Sequence, residues 1–398
     1  MRLWDTKNAL HDAILKFTVG DDYLLDMQLI RYDCQASIAH ARTLAKIGIL
    51  SAEELNAIEA ALQEIIQQVE AGTFTIRPEQ EDMHTAIEEY LTQKLGDSGK
   101  KIHTGRSRND QVLAALRLFY KDHLQHIQEQ LSALLQVLEH FAQKHADVPL
   151  PGYTHTRKAM PYSVAQWTQA FADAMKDNQR LLTTVMEWID QSPLGSGAGF
   201  GVPLPLDREF TARELGFSRV QWNPLYVQNS RGKFEALILH AFAQIALDLN
   251  RLASDLIFFT QPELGFFELP ENFITGSSIM PHKQNPDVLE LMRAYAHRLV
   301  AAQMEVQMLV SNLISGYHRD YQLTKKPVLE GFAVVEQLLE VSRLLFQHLR
   351  VNTAACQHAM TDDLFATHKV YELVQQGMPF RDAYRQVAKA VRGKKQEE

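Results

Sequence analysis

Residues 276–286 read Gly-Ser-Ser-Ile-Met-Pro-His-Lys-Gln-Asn-Pro. Hydroxyls, a cation and an amide gathered in so short a stretch form a set suited to work on an anion. Gly276 leaves the backbone free to open and close, while Pro281 and Pro286 limit where it bends. Lys283 and Asn285 alternate with other residues, so in an extended loop both point to one side and suit a single carboxylate. Pro286 is placed to start a helix, and Glu290, one turn in, can reach back toward the loop. A serine hydroxyl here becomes a base only if nearby cations and the helix N-terminus favour its anion. A plain Ser/Gly/Pro linker would explain neither Lys283 nor Asn285.

Four other stretches are comparably polar. "KKIHTGRSRNDQ" (100–111) sets Lys100, Lys101, His103, Arg106 and Arg108 beside Asn109 and Gln111, before a long helical pattern. Side-chain cations and a helix N-terminus together suit carboxylates. "PGYTHTRKAMP" (151–161) reads as a polar loop offering Thr154 and His155, the latter an acid or base near neutral pH. "SGYHRDYQLTKK" (315–326) is a further loop of this kind. The glycine run "SPLGSGAGFG" (192–201) does not match G-x-G-x-x-G in register and follows a helical pattern rather than a strand, so no dinucleotide site is implied. His123 and His126 lie three apart with nothing to complete a metal set, so no metal is expected either.

The elements that must hold these loops are marked by where Gly and Pro are missing. Neither occurs between Gly105 and Pro149, Pro161 and Pro193, Gly232 and Pro262, or Pro286 and Gly316. Apolar residues within 106–148 follow three/four spacing, and the 234–260 stretch is apolar on nearly every side, the pattern of a helix buried all round. Ser51 with Glu54 forms a capping box, and Pro161, Pro286, Pro327 and Pro379 each stand at or near an expected helix start. The fold class expected is all-α, with a central bundle of long helices. The division expected is an N-terminal helical domain over 1–104, the bundle over 105–355 and a short, truncated C-terminal helical domain over 356–398. Helices this long carry wide apolar stripes that a single bundle rarely hides alone, which points to a homo-oligomer.

Composition narrows the partners. The chain of 398 residues is 46% apolar and 22% charged with a net charge of −8, which argues against bulk binding to nucleic acid or an anionic membrane. No uninterrupted apolar stretch approaches the length of a membrane span, and the N-terminus lacks a secretory pattern. Cys34 and Cys356 are far apart and in no CxxC, which fits a reducing, cytoplasmic setting.

"GSSIMPHKQNP" fits the GSSxMPxKxNP signature of the fumarase/aspartase superfamily. "HTGRSRNDQV" (103–112), "PGYTH" and "YHRDYQLTK" (317–325) resemble its argininosuccinate lyase branch. The resemblance covers nearly the whole chain. It implies a fumarase/aspartase-like homotetramer built round a multi-helix core, with active sites shared between subunits. It also implies a cofactor-free anti β-elimination of the small molecule argininosuccinate to arginine and fumarate, a step of arginine biosynthesis. By the same resemblance Ser277 is the base, Lys283 and Asn285 stabilise the carbanion, and His155, oriented by Glu290, serves the leaving nitrogen. Arg108, Asn109 and Thr154 match positions that bind the succinyl carboxylates. Tyr317, Gln322 and Lys325 match positions that bind the substrate including its arginine end, and His84 matches another site histidine. The chain departs from the family pattern at Thr156-Arg157 (usually Leu-Gln), at Asp22 (usually serine) and at Asn229–Lys233, which keeps Arg231 but loses two acids. These departures keep two alternatives open: a lyase for another N-substituted aspartate, and a non-catalytic homologue of the lens-crystallin kind.

Overall fold

Each of the four Gly- and Pro-free stretches is occupied by one helix. They are Arg108–Lys144, Val164–Ile189, Lys233–Phe259 and Asp287–Leu309, and a fifth long helix runs Lys325–His348. The structure, a computed structural model, describes residues 11–397, with side chains to 392. At 37 residues the Arg108–Lys144 helix is about 55 Å long. Shorter helices precede it: Ile30–Lys46, Ala52–Glu70 and Met83–Leu95. The capping box opens the second of these. Ser51 Oγ accepts the Glu54 N–H at 3.2 Å, and the Ser51 N–H donates to Glu54 Oε2 at 2.9 Å. A cap of this kind stabilises its helix by about 1 kcal/mol.

The chain divides into two compact units. One comprises the described residues up to Gln128 with Leu181–Phe242 and Leu299–Val334. At its core Phe332 stacks on Tyr120 at 5.7 Å and takes edge contacts from Phe119 and Phe242 at 5.2 and 4.9 Å. Gly331 sits beside it because a Cβ there would come within 2.5 Å of Leu239 Cδ2. These contacts fix the parts of three long helices that belong to this unit.

The other unit comprises Glu129–Arg180, Ala243–Arg298 and the described residues from Val335 on. Its centre is Trp167, packed against Phe171, Phe259 and Phe267 at 5.5, 5.9 and 5.0 Å, with its indole N–H donated to Asp255 at 2.9 Å. Burying a tryptophan is favourable only when that N–H finds a partner, which Asp255 supplies. The last two helices, Ala366–Gln375 and Phe380–Glu397, form a hairpin over Val370, Ala383 and Val387.

One expectation is corrected. The stretch around Pro151–Pro161 is not a loop but an antiparallel hairpin, Pro149–Thr154 with Arg157–Ser163, and Pro161 lies in its second strand, three residues before the Val164–Ile189 helix. Prolines tolerated at an edge had masked the strands. By length and composition alone, Pro224–Phe259 is long and apolar enough to cross a membrane, but 61% of its apolar 18-residue window is buried inside the protein, as in a core helix.

Candidate active site

In the first unit, six of the residues singled out from the sequence line one cavity of about 320 Å³: His84, Arg108, Asn109, Tyr317, Gln322 and Lys325. They come from segments far apart in the chain. His84 sits in the first turn of the Met83–Leu95 helix, whose N-cap Asp82 accepts the Thr85 N–H at 2.8 Å. Asp82 also takes the Arg108 guanidinium at 2.6 Å, and Thr85 Oγ1 accepts a second Arg108 N–H at 3.0 Å. Arg108 thus enters the cavity already oriented, as a carboxylate-binding cation should be. Asn109 follows it at the helix N-terminus, where backbone N–H groups favour anions.

Lys325 is buried between Asp26 at 2.6 Å and Asp22 at 3.0 Å. Burial alone would favour its neutral form, but the two carboxylates raise its pKa and keep it charged. Burial likewise raises Asp22, against the pull of Lys325. Gln322 donates to the carbonyls of Thr18 and Val19 at 3.0 and 3.2 Å, and Arg319 donates to Thr18 O at 2.8 Å and to Gln322 Oε1 at 2.9 Å. The segment bearing Asp22 is thereby tied to the segment bearing Gln322. Arg231 lies over the rings of Tyr317 and Tyr321 at 5.3 and 5.1 Å. The cavity therefore has carboxylates (Asp22, Asp26, Asp82) and cations (Arg108, Arg231, Lys325) in its wall, suited to a ligand carrying both signs.

Asp110, next in sequence to Asn109, does a different job. It is fully buried and accepts N–H groups from Ser107, Gly195 and Gly197 at 3.0, 3.0 and 2.8 Å. The glycine run is thus a turn latched to the helix start. Gly195 and Gly197 have φ of 85° and 61°, a region open to glycine at little cost.

The remaining residues lie in the second unit. Thr154 and His155 stand exposed at the hairpin tip, where His155 and Thr156 form the two-residue turn with φ of 53° and 57°. Both central residues in the left-handed region make a primed turn, which matches strand twist but is strained for side chains other than glycine, asparagine or aspartate. Thr275–Gly276 pairs antiparallel with Gln284–Asn285 and encloses the loop from Ser277 to Lys283. Ser277 Oγ accepts the N–H groups of Ile279 and Met280 at 3.3 and 3.0 Å, so negative charge on that oxygen is favoured. Thr275 Oγ1 donates to Asp287 Oδ2, closing the base of the loop on the first residue of the Asp287–Leu309 helix. Lys283 is exposed, Asn285 half-buried and Glu290 exposed. Among the described residues, no hydrogen bond or ion pair joins His155 to Glu290 within the chain.

Sequence reasoning did not single out Asp26, Asp82 or Arg319, and it noted Asp22 and Arg231 only as features of a departure. Asp82 had a readable signal, the Asp-x-x-Thr cap directly before His84. Asp26 had none, since its partner Lys325 is 299 residues away.

Over nearly its whole length the chain is similar to known lyases. A family model described as "Lyase" matches residues 13–301. The argininosuccinate lyase of Thermotoga neapolitana is 55% identical over 387 residues, covering 97% of each chain. That of Sorangium cellulosum is 46% identical over 391 residues, covering 98% of this chain and 90% of its own. Among solved structures, EDDS lyase in complex with formate superposes with a TM-score of 0.84 at 24% identity, over 98% of this chain and 78% of that one. Class II fumarase from Schistosoma mansoni gives 0.76 at 17%, over 96% and 93%. The two structures attest the long-helix fold, and the sequence relatives the branch. The chain belongs to the argininosuccinate lyases, within the fumarase/aspartase superfamily.

Proposed function

We propose that the protein splits argininosuccinate into arginine and fumarate by anti elimination, with Ser277 as the base. The observation that carries this reading is the single cavity lined by His84, Arg108, Asn109, Tyr317, Gln322 and Lys325, whose mixed charges suit a substrate with carboxylates, an ammonium and a guanidinium. Ser277 removes a proton from the carbon beside a succinyl carboxylate. The electron pair moves into that carboxylate as an aci-dianion, then forms the C=C bond as the C–N bond to the guanidino nitrogen breaks. Such an intermediate needs preorganised positive charge, which Lys283 and the amide of Asn285 supply. His155, oriented by Glu290, delivers or supports the proton that the leaving nitrogen takes up. Arg108, Asn109 and Thr154 hold the succinyl carboxylates; Tyr317, Gln322 and Lys325 hold the arginine end. No cofactor enters this scheme.

The same reading makes the protein a cytoplasmic homotetramer whose active sites draw loops from several subunits. It divides the chain at 104 and 355 into N-terminal, bundle and C-terminal parts.

The test is the rise of fumarate absorbance on adding argininosuccinate to the purified protein, and its loss in Ser277→Ala. No turnover at any pH overturns the proposal. A panel of N-substituted aspartates decides the substrate, and equal or faster turnover of another member would replace argininosuccinate.

A further inference from the structure

His84 lines the cavity, yet the groups that hold its ring lie behind the cavity wall. Asp33, on the Ile30–Lys46 helix and fully buried, places Oδ2 at 2.8 Å from His84 Nδ1. Gln111, in the first turn of the Arg108–Lys144 helix and only 2% exposed, donates Nε2–H to both Asp33 oxygens at 3.0 and 3.1 Å. Neither Asp33 nor Gln111 lines the cavity. A carboxylate sealed from water is costly unless it is hydrogen-bonded and its charge is answered. The amide of Gln111 supplies hydrogen bonds but no charge, so the imidazole is the partner in direct contact that can supply it. With Nδ1 engaged, Nε2 is the ring nitrogen left for a ligand.

We propose that Asp33 and Gln111 are positioning residues for His84: they hold Nδ1–H toward Asp33 and present Nε2–H to the cavity as a charged donor for a substrate carboxylate. This rests on the lyase reading only in the identity of the ligand. The other charged groups around the ring are Asp26 with Lys325 on it, Asp82 with Arg108 on it, Glu88 on the same helix, and His103 and Arg106 from the segment before the Arg108–Lys144 helix. Burial works against the imidazolium, but Asp33, then Asp82 and Asp26, more than offset it and raise the His84 pKa above its ordinary value.

The exchange of the imidazole C2 hydrogen for deuterium, read by peptide mass spectrometry on the full chain, gives the His84 midpoint without any turnover. The wild-type midpoint should lie above about 6.5, and Asp33→Asn should lower it by about one unit or more. Gln111→Met should move it upward, because the amide no longer shares the charge of the carboxylate. In the fumarate assay Asp33→Asn should raise KM about tenfold with a smaller loss in kcat, the effect of one misdirected charged hydrogen bond. A role in packing alone would not move the midpoint in opposite directions. A KM change with no midpoint shift in either variant overturns the proposal. Should Asp33→Asn not fold, Gln111→Met decides, and an unmoved midpoint there is the overturning result. A wild-type protein without lyase turnover would sink the function proposed above while leaving both midpoints to be read.

Discussion

Asp110 is a buried carboxyl whose environment works against its charge. Its carboxyl is pushed up to about 6 by burial, although three backbone N–H groups pull the other way. Unfolded, it would titrate near 3.9. The native state therefore holds the proton more tightly than the unfolded chain. This group's contribution to stability is fully present below about pH 3.9 and is lost as pH rises through about 6, a cost of about 3 kcal/mol at neutral pH. The strain is retained because the same carboxylate holds the Gly195–Gly197 turn against the helix that presents Arg108 and Asn109. Asp110→Asn keeps an acceptor but removes the charge. The melting temperature of the variant should gain on that of wild type as pH is raised from about 4.5 to 7.5. A constant difference across that range would mean the carboxyl titrates normally in the fold.

Among the elements, the Asp97–Lys100 turn shows how closely the backbone is packed around the site. A Cβ at Gly99 would stand 2.3 Å from the carbonyl oxygen of Leu91, a backbone atom of the helix that carries His84. Backbone cannot rotate out of the way as a side chain can, so Gly99→Ala should cost about 1–3 kcal/mol and lower the melting temperature; an unchanged melt would show that the turn yields freely. No local sequence pattern marks this glycine, because the atom it makes room for belongs to the preceding helix. The long helices, by contrast, were legible, because the absence of Gly and Pro over each stretch is a direct statement about backbone freedom. The hairpin at 149–163 was not, since Pro149, Pro151 and Pro161 argue against strands and its turn, His155-Thr156, lacks the usual glycine. Motif residues such as Ser277, Lys283 and Arg108 could be picked out because they cluster in short polar stretches that match a family signature. Asp22 and Asp26 acquire meaning only when folding brings Lys325 between them, a pairing that no local pattern announces.

For the whole molecule, the distribution of candidate residues over the chain has a consequence for assembly. His84, Arg108, Asn109, Tyr317, Gln322 and Lys325 belong to one compact unit, while Thr154, His155, Ser277, Lys283, Asn285 and Glu290 belong to the other. If active sites are shared between subunits, a site can take its cavity from one chain and its Ser277 loop from a second. Two inactive variants, Ser277→Ala and Lys325→Met, then carry their defects in parts that a mixed oligomer can supply from different chains. Each alone should give no measurable fumarate. Mixed in equal amounts, dissociated and reassembled, they should regain activity, since with random assembly roughly a quarter of the sites receive an intact loop and an intact cavity. The recovered activity should appear only in the fraction eluting as an oligomer, and a mixture of Ser277→Ala with Ser277→Gly should recover none, because both chains then lack the same group. If reassembled Ser277→Ala and Lys325→Met stay silent while wild-type protein taken through the same steps regains its rate, each chain works alone and the shared-site reading fails.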